Sequence, residues 1–470
     1  MKKNLLRRIC CCLLVAAMLF LAACGGGTAS KPDTENSKPT GIENNSQNVS
    51  EIEMPTADLS KNSKELHIYG WSTMSENITD GLAAEYFKKE FGVKIKETIA
   101  THETYWSDLA KMVSAGNAPD VVDCSYDKFW TTPVSEGLFE AWDGLIDFNT
   151  PLWADSKELI DSVKWKDKIY YPVIGEHLQS WIYYNKNMFK NYGLEDMTPR
   201  ALYEKGEWTL DKFLEVANKF VEKNNKNEIV QWGFTPQNLE PLSISGVQIV
   251  EVNNGTSYKN NLRDARIAKV MNAFYTISAA GTGAMSVKDA CPLFEQEKVA
   301  MLFSHADLLT QRRFEPLRQA DAMGFAPMPK LDNESKHNVE VSIDPGYGLA
   351  KGAKNKELAA LWVNYLKWFH LGDNFCLELP KTEKSPAEKK YNIKPKAGSV
   401  TVSKEDEEFI KSFLATNPNK VYTNYRSIVR NFGEMLEVYK WQIFAGSVQW
   451  SAAVQQMYPT YEARLKELIK

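Results

Sequence analysis

From Leu66 onward the chain alternates short apolar runs with amphipathic helical stretches, a pattern that admits few folds. Leu66-His67-Ile68-Tyr69-Gly70-Trp71 reads as a strand that stops at a glycine turn. Thr79 or Asp80 caps a helix on which Leu82, Ala83, Tyr86, Phe87 and Phe91 recur at three- and four-residue spacing. Gly92 ends it, and Val93-Lys94-Ile95 begins a second strand. A helix through Tyr105, Leu109, Met112 and Val113 closes at Gly116, and Pro119-Asp120-Val121-Val122-Asp123 reads as a buried strand. This order predicts a parallel sheet with helices on its faces. Right-handed crossovers then put all strand ends of one polarity along one edge.

A second unit of the same grammar begins near Gly175. Trp181-Ile182-Tyr183-Tyr184 and Val299-Ala300-Met301-Leu302-Phe303 are strand-like, and Gly324-Phe325-Ala326-Pro327-Met328-Pro329 is a strand halted by prolines. Between them, Trp208-Thr209 precedes a helix with Phe213, Val216, Ala217, Phe220 and Val221 on one face. The remainder reads as mostly helical, and no tandem repeat points to a solenoid or propeller. The fold class expected is α/β, with two lobes, each a sheet flanked by helices. A chain of 470 residues is long enough for each lobe to bury its own core. Its net charge of −4 lacks the basic surplus of a nucleic-acid binder, so no nucleic-acid partner is expected.

Upstream of this body lies an address. Lys2, Lys3, Arg7 and Arg8 precede an unbroken apolar run of 15 residues, Ile9 to Ala23, too short to span a bilayer and suited to a secretory signal. The run closes in Leu21-Ala22-Ala23-Cys24-Gly25, which resembles the lipobox of bacterial lipoproteins. The resemblance implies that 1–23 is a signal peptide and that Cys24 is lipidated, holding the protein on the outer face of the cell membrane. The mature balance of 52 basic against 60 acidic residues leaves anchoring to the lipid. From Gly25 to Lys64 the chain is rich in Gly, Ser, Asn, Thr, Pro and charge, too polar for a core; 24–64 is expected to be a disordered tether. Beyond Cys10, Cys11, Cys12 and Cys24, only Cys124, Cys291 and Cys376 remain, enough for at most one disulfide.

Six stretches in order carry a broader likeness: Ala115-Gly116-Asn117-Ala118-Pro119-Asp120-Val121-Val122, Asp167-Lys168-Ile169-Tyr170-Tyr171-Pro172, Tyr183-Tyr184-Asn185-Lys186-Asn187-Met188-Phe189, Glu297-Lys298-Val299-Ala300-Met301, Phe325-Ala326-Pro327-Met328-Pro329-Lys330 and Gly346-Tyr347-Gly348-Leu349-Ala350-Lys351-Gly352. With them the body resembles the extracellular sugar-binding proteins of bacterial ABC importers, the family 1 group that contains maltodextrin-binding protein. The resemblance implies a two-lobe, periplasmic-binding-protein-like fold (type II) joined by hinge crossings. It places lobe one at 65–175 and 341–415, and lobe two at 176–340 and 416–470. It also implies a monomer that captures a carbohydrate, with an oligosaccharide favoured, and delivers it to the transmembrane subunits of an ABC permease.

A sugar offers hydroxyls to charged and amide groups and ring faces to aromatics, so its site needs both types converging from the two lobes. Trp71, at a strand's carboxyl end, is a candidate stacking platform or a cover for the lobe's edge. Glu76 and Asn77 either bond hydroxyls or cap the next helix. The resemblance puts Asp127 and Lys128 where the group has an acidic and a basic sugar ligand, with Ser125 and Tyr126 beside them. Cys124 stands where the group has a stacking Trp, and Tyr126 or Trp130 is near enough to replace it. The same match makes Glu176 a ligand-binding glutamate at the first hinge crossing, with His177 beside it read as a spectator. It places Glu240 at another sugar-binding position, with Leu242 in place of a tyrosine. Asp307 falls where a Trp is usual, and His305 lies next to it at a strand end. Gly346 and Tyr347 line the return crossing, and Trp441 is a candidate cap. With the two tryptophans missing, maltodextrin itself is not expected.

Enzyme chemistry finds little support. Gly-x-Ser-x-Gly, His-Glu-x-x-His and phosphate-loop patterns are absent, and the 6 His are dispersed without zinc-type spacing. No catalytic residue, metal or cofactor is therefore expected. The alternatives carried are a surface-anchored glycosidase, whose carboxylate pair composition cannot reveal, and a binding protein that serves a sensor instead of import.

Overall fold

The computed structural model describes residues 51–60, 63–73, 78–101, 103–124, 131–236, 241–283, 290–309, 311–344, 346–371, 384–393, 403–422 and 432–470. The predicted alternation forms as read. β1 (Glu65–Gly70) is followed by the helix Ile78–Phe91, β2 (Lys94–Ile99), the helix Tyr105–Ser114 and β3 (Val121–Asp123). β4 (Phe139–Glu140) completes this stretch, and β5 (Gly175–Leu178) leads out of it. Then come β6 (Trp181–Asn185), β7 (Glu222–Lys223), β8 (Ile229–Pro236), the hairpin β9 (Val250–Asn253) and β10 (Ser257–Asn260), β11 (Val299–Ser304) and β12 (Met323–Pro327). β13 (Asn338–Asp344) returns to β14 (Tyr347–Ala350), and β15 (Asn419–Tyr422) crosses again.

These strands build two five-stranded sheets, β2-β1-β3-β14-β4 and β12-β6-β11-β8-β7, with a three-stranded sheet β15-β13-β5 of crossing strands. The protein is thus a two-lobe α/β fold in which the chain passes between the lobes on three short strands. The sheets are mixed, not purely parallel. β1 pairs in parallel with β2 and β3, but β14 runs antiparallel to β3 and β4 because it enters from the crossing. Its first residue, Tyr347, therefore lies opposite Asp123, at the edge where β1 and β3 end.

Each sheet is covered by the apolar face of its helices. In lobe one, Leu66 and Ile68 of β1 are buried, as are Trp362, Leu358 and Leu366 of the helix Lys356–Phe369. In lobe two, Phe213 of the helix Leu210–Asn218 lies 5.4 Å from Phe234 and 5.3 Å from Phe303 between ring centroids. The helix Lys404–Ala415 also lies on this side: Phe413 meets Trp181 at 5.5 Å and Phe409 meets Phe325 at 5.6 Å.

Residues 51–60, expected to belong to the tether, lie against lobe one. Ile52, Met54 and Leu59 pack on the main hydrophobic core, and Trp368 Nε1 of lobe one donates to the Ile52 carbonyl at 2.9 Å. Three apolar residues spread over eight positions escape a composition reading, yet each finds a neighbour.

The β9–β10 hairpin makes a second tie between the lobes besides the crossings. Its tip residue Asn254 accepts from Lys166 N through its carbonyl (2.9 Å) and from Asp167 N through Oδ1 (2.7 Å), and donates to Asp167 Oδ1 (2.9 Å). Gly255 has φ +63, and a Cβ there would sit 2.5 Å from Trp165 Cδ2. Gly255→Ala is expected to break this clasp and to lower stability by about 1–3 kcal/mol, seen as an earlier denaturant midpoint.

His337 gives stability a pH dependence. Burial holds its ring below the ordinary histidine value, with Lys330 adding to this and a contact from Nδ1 to the Met328 carbonyl at 3.1 Å opposing it. The unfolded chain therefore binds a proton that the folded one refuses. Stability falls as pH drops from about 6.5 toward the lower folded value and levels off below it. The melting temperature of His337→Phe should fall less than that of the parent between pH 7 and pH 5.

Candidate functional site

Open α/β sheets present ligands with the carboxyl ends of their strands. On lobe one that edge carries Trp71 after β1, Ile99 at the end of β2, and the Asp123–Cys124 turn, where Cys124 N donates to the Gly346 carbonyl at 3.0 Å. β1 and β2 end side by side, with Gly70 opposite Ile99. Trp71 is 38% exposed and Ile99 44% exposed. Among the described residues the only other exposed large apolar side chain is Val438. Two of these three thus stand at one edge.

On lobe two, β8 and β11 run parallel and end at Pro236 and Ser304, followed by His305. The His305 carbonyl accepts from the Tyr183 hydroxyl at 2.9 Å, fixing this corner to β6. The turn Pro241–Ser245 continues from the β8 end and is buried throughout.

The crossing sheet has two unlike faces, set by the two-residue repeat of a strand. Its register aligns Glu176, Ile343, Val341, Leu178, Lys420 and Tyr422 on one face. His177, Ser342, Glu340 and Asn338 occupy the other. The second face is stitched together: Gln179 Nε2 donates to Ser342 Oγ at 2.8 Å, Ser180 Oγ bonds Glu340 Oε2, and Asn338 Nδ2 donates to the Ile244 carbonyl at 3.1 Å. The last bond joins this polar face to the turn that follows the carboxyl end of β8.

Glu176 faces the other way. Both its oxygens accept from Lys420 Nζ, at 2.7 and 2.8 Å, and it lines a cavity of about 810 Å³ with Asp155, Glu158, Lys367, His370 and Tyr422. Lys367 is buried beneath this groove and donates to Asp155 Oδ2 (3.0 Å), Ser156 Oγ (2.7 Å) and the Ile174 carbonyl (3.0 Å). Burial, with Glu176 and Glu158 nearby, pushes the Tyr422 phenol up to about 12, so it stays a neutral donor at physiological pH.

The predicted site residues therefore separate. Trp71 and Gly346 share the lobe-one edge, and His305 stands on the lobe-two edge. Tyr347 is buried, with its ring 6.0 Å from that of Trp362, so it supports the edge from inside the core. Trp441 is half-buried against the core on the helix Phe432–Phe444. Glu76, Asn77, Ser125, Tyr126, Asp127, Lys128 and Glu240 lie outside the described residues, as do Cys24 and the side chain of Asp307. Sequence reasoning missed the polar crossing face. Its signal was the strict alternation Asn338-Val339-Glu340-Val341-Ser342-Ile343.

Among the described residues no group of three or more His, Cys, Asp or Glu could hold a metal ion, and no helix is long and apolar enough to cross a membrane.

A family model described as bacterial extracellular solute-binding protein matches residues 71–367. No curated protein matches the chain. Among solved structures, the chain is similar to an ABC substrate-binding protein from Listeria monocytogenes in complex with cycloalternan (TM-score 0.57, 16% identity, 86% of this chain and 99% of that one). It is similar to a maltose/maltodextrin-binding domain from Bdellovibrio bacteriovorus bound to maltotriose (TM-score 0.56, 16% identity, 86% and 100%). The sugar-binding protein MalE from Xanthomonas citri matches likewise (TM-score 0.59, 14% identity, 86% and 98%). At these identities the likeness concerns the fold.

Proposed function

Because the chain belongs to the bacterial extracellular solute-binding protein family, we propose that it captures a carbohydrate between its two lobes and delivers it to an ABC permease. The observation that carries this reading is the exposed apolar pair Trp71 and Ile99 on the carboxyl edge of lobe one. An indole 38% exposed at a strand end offers a flat surface for the apolar face of a sugar ring. Cycloalternan and maltotriose, bound by two of the similar structures, are both oligosaccharides, which supports the same ligand class.

In this reading Trp71 forms the platform, and Glu76, Asn77, Ser125, Tyr126, Asp127 and Lys128 are the further candidate ligands of lobe one. Glu240, His305 and Asp307 are the candidate ligands contributed by lobe two. The polar crossing face bearing His177, Gln179 and Ser342 forms the floor, and Glu176 serves the hinge through Lys420. Lobe one takes in 65–175, 341–371 and 384–393, the last because Tyr391 stacks on Tyr86 and Lys390 pairs with Glu90. Lobe two takes in 176–340 and the chain from Lys404 on, a division drawn before that helix and not at 415, because Phe409 and Phe413 pack on β6 and β12.

Contacts from both lobes favour the closed form, because a ligand moves the equilibrium only by its differential affinity for the two states. The protein works as a monomer without cofactor or catalytic group, exported by residues 1–23 and held on the outer face of the membrane by lipid on Cys24. A thermal-shift screen against a saccharide library tests the ligand class, since a ligand at 100 times its Kd stabilises by about 2.7 kcal/mol. If no saccharide shifts the melting point while another solute class does, the carbohydrate reading is wrong.

A further inference from the structure

The segment 51–60 has no role in the cleft, yet it is built into the molecule. Trp368 Nε1 holds the Ile52 carbonyl at 2.9 Å. Met54 Sδ lies 3.2 Å from Lys390 Nζ and 3.7 Å from the Tyr391 hydroxyl. Tyr391 is itself stacked on Tyr86 at 4.0 Å, and Lys390 pairs with Glu90 at 2.8 Å, so both belong to the surface of the Ile78–Phe91 helix. Around these contacts, Glu51, Ile52, Glu53 and Pro55 border a cavity of about 620 Å³ that Pro151 and Leu152 also line. Where the chain turns toward β1, Ser63 N donates to Asn355 Oδ1 at 3.1 Å. Every one of these partners lies in lobe one.

We infer that residues 51–60 form a strap that fastens the chain's upstream end to lobe one, so that an anchor at Cys24 holds lobe one and leaves lobe two to carry the closing motion. The inference rests on the anchored-binder reading, and its consequence is geometric. A free tether would begin at β1 and run through 40 residues; a docked strap leaves the 26 residues of 25–50 between lipid and body. It also leaves the body from the patch formed by Pro151, Leu152 and Trp368, at the end of the helix Lys356–Phe369, and not from the start of β1.

Two measurements test this in the mature chain from Cys24. First, a photo-reactive residue at position 54, without lipid or sugar, should cross-link to peptides containing 386–391 or Glu90. Cross-links to peptides of 176–340, or none to lobe one, would overturn the strap. Second, the Cys24 thiol is coupled to a maleimide lipid in phosphatidylcholine vesicles, with Cys376→Ser leaving it the reactive thiol because Cys124 and Cys291 are buried. Energy transfer to a headgroup dye is read from a fluorophore on an unnatural residue at Lys94 (lobe one) or Lys226 (lobe two). The lobe-one distance should be the narrower distribution, and Ile52→Asp/Met54→Asp should lengthen and broaden it by several ångströms. An identical lobe-one distribution with and without those substitutions, or a narrower one for lobe two, would overturn the holding role. Neither measurement uses a saccharide, so its failure is separate from failure of the ligand class.

Discussion

Gly233→Ala is expected to destabilise the protein by about 3 kcal/mol or more, with a correspondingly earlier urea midpoint. Gly233 lies in β8, and a Cβ built there would sit 1.9 Å from the Ala217 carbonyl oxygen, 2.5 Å from its carbon and 2.7 Å from its Cα. These are main-chain atoms of the helix Leu210–Asn218, so no rotamer change relieves the clash. The helix must lift or β8 must shift. Lifting it pulls Phe213 from the ring cluster with Phe234, Phe274 and Phe303, whose centroids are 5.3 to 5.8 Å apart. Shifting β8 breaks its register with β11 and the bond from Gly233 N to the Thr282 carbonyl. Ala217→Gly should not rescue the variant, because the obstruction is backbone. A midpoint equal to the parent's, or full rescue by Ala217→Gly, would refute the close approach of helix to strand.

What the sequence made legible was whatever a local period records. Leu66, Ile68, Phe87 and Leu109 announced strands and helices by spacing alone, and their burial follows. The polarity of β14 was not legible, because strand direction depends on which lobe the chain is returning from. The turning of Glu176 toward Lys420 was hidden for a related reason. A one-residue difference in a crossing strand exchanges its faces, and a residue-by-residue match to a family cannot carry that phase through a hinge. The alternation at 338–343 could have fixed it, since polar Asn338, Glu340 and Ser342 need a different neighbourhood from Val339, Val341 and Ile343. Tyr347 and Trp441 show the opposite limit. An aromatic near a strand end or on a helix offers the same letter whether it lines a cleft or fills a core; of these three, Trp71 is the one that stays exposed. The strap at 51–60 escaped because Ile52, Met54 and Leu59 form no period; their partners Trp368, Lys390 and Tyr391 are more than 300 positions away.

Trp71→Ala is expected to weaken saccharide binding about 10- to 100-fold, or about 1.4–2.7 kcal/mol, while leaving the melting temperature of the unliganded protein close to the parent's. The two halves of this expectation have one cause. A tryptophan 38% exposed after β1 contributes less to the core than a buried one, so its removal leaves the fold nearly intact. A bound sugar ring would cover the same indole, and burying a large aromatic face dominates the energetics of such a contact. Trp71→Phe should recover part of the affinity, because a smaller ring still offers a flat face. Ile99→Ala, at the end of β2 where it pairs with Gly70, should weaken binding by a smaller factor, since it removes apolar surface without a stacking plane. Calorimetry of all three variants, with the saccharide that gives the largest thermal shift in the parent, reads the series directly. Parent-like affinity in Trp71→Ala would move the platform off this edge, whereas equal losses of affinity and melting temperature would make Trp71 a structural cover for lobe one.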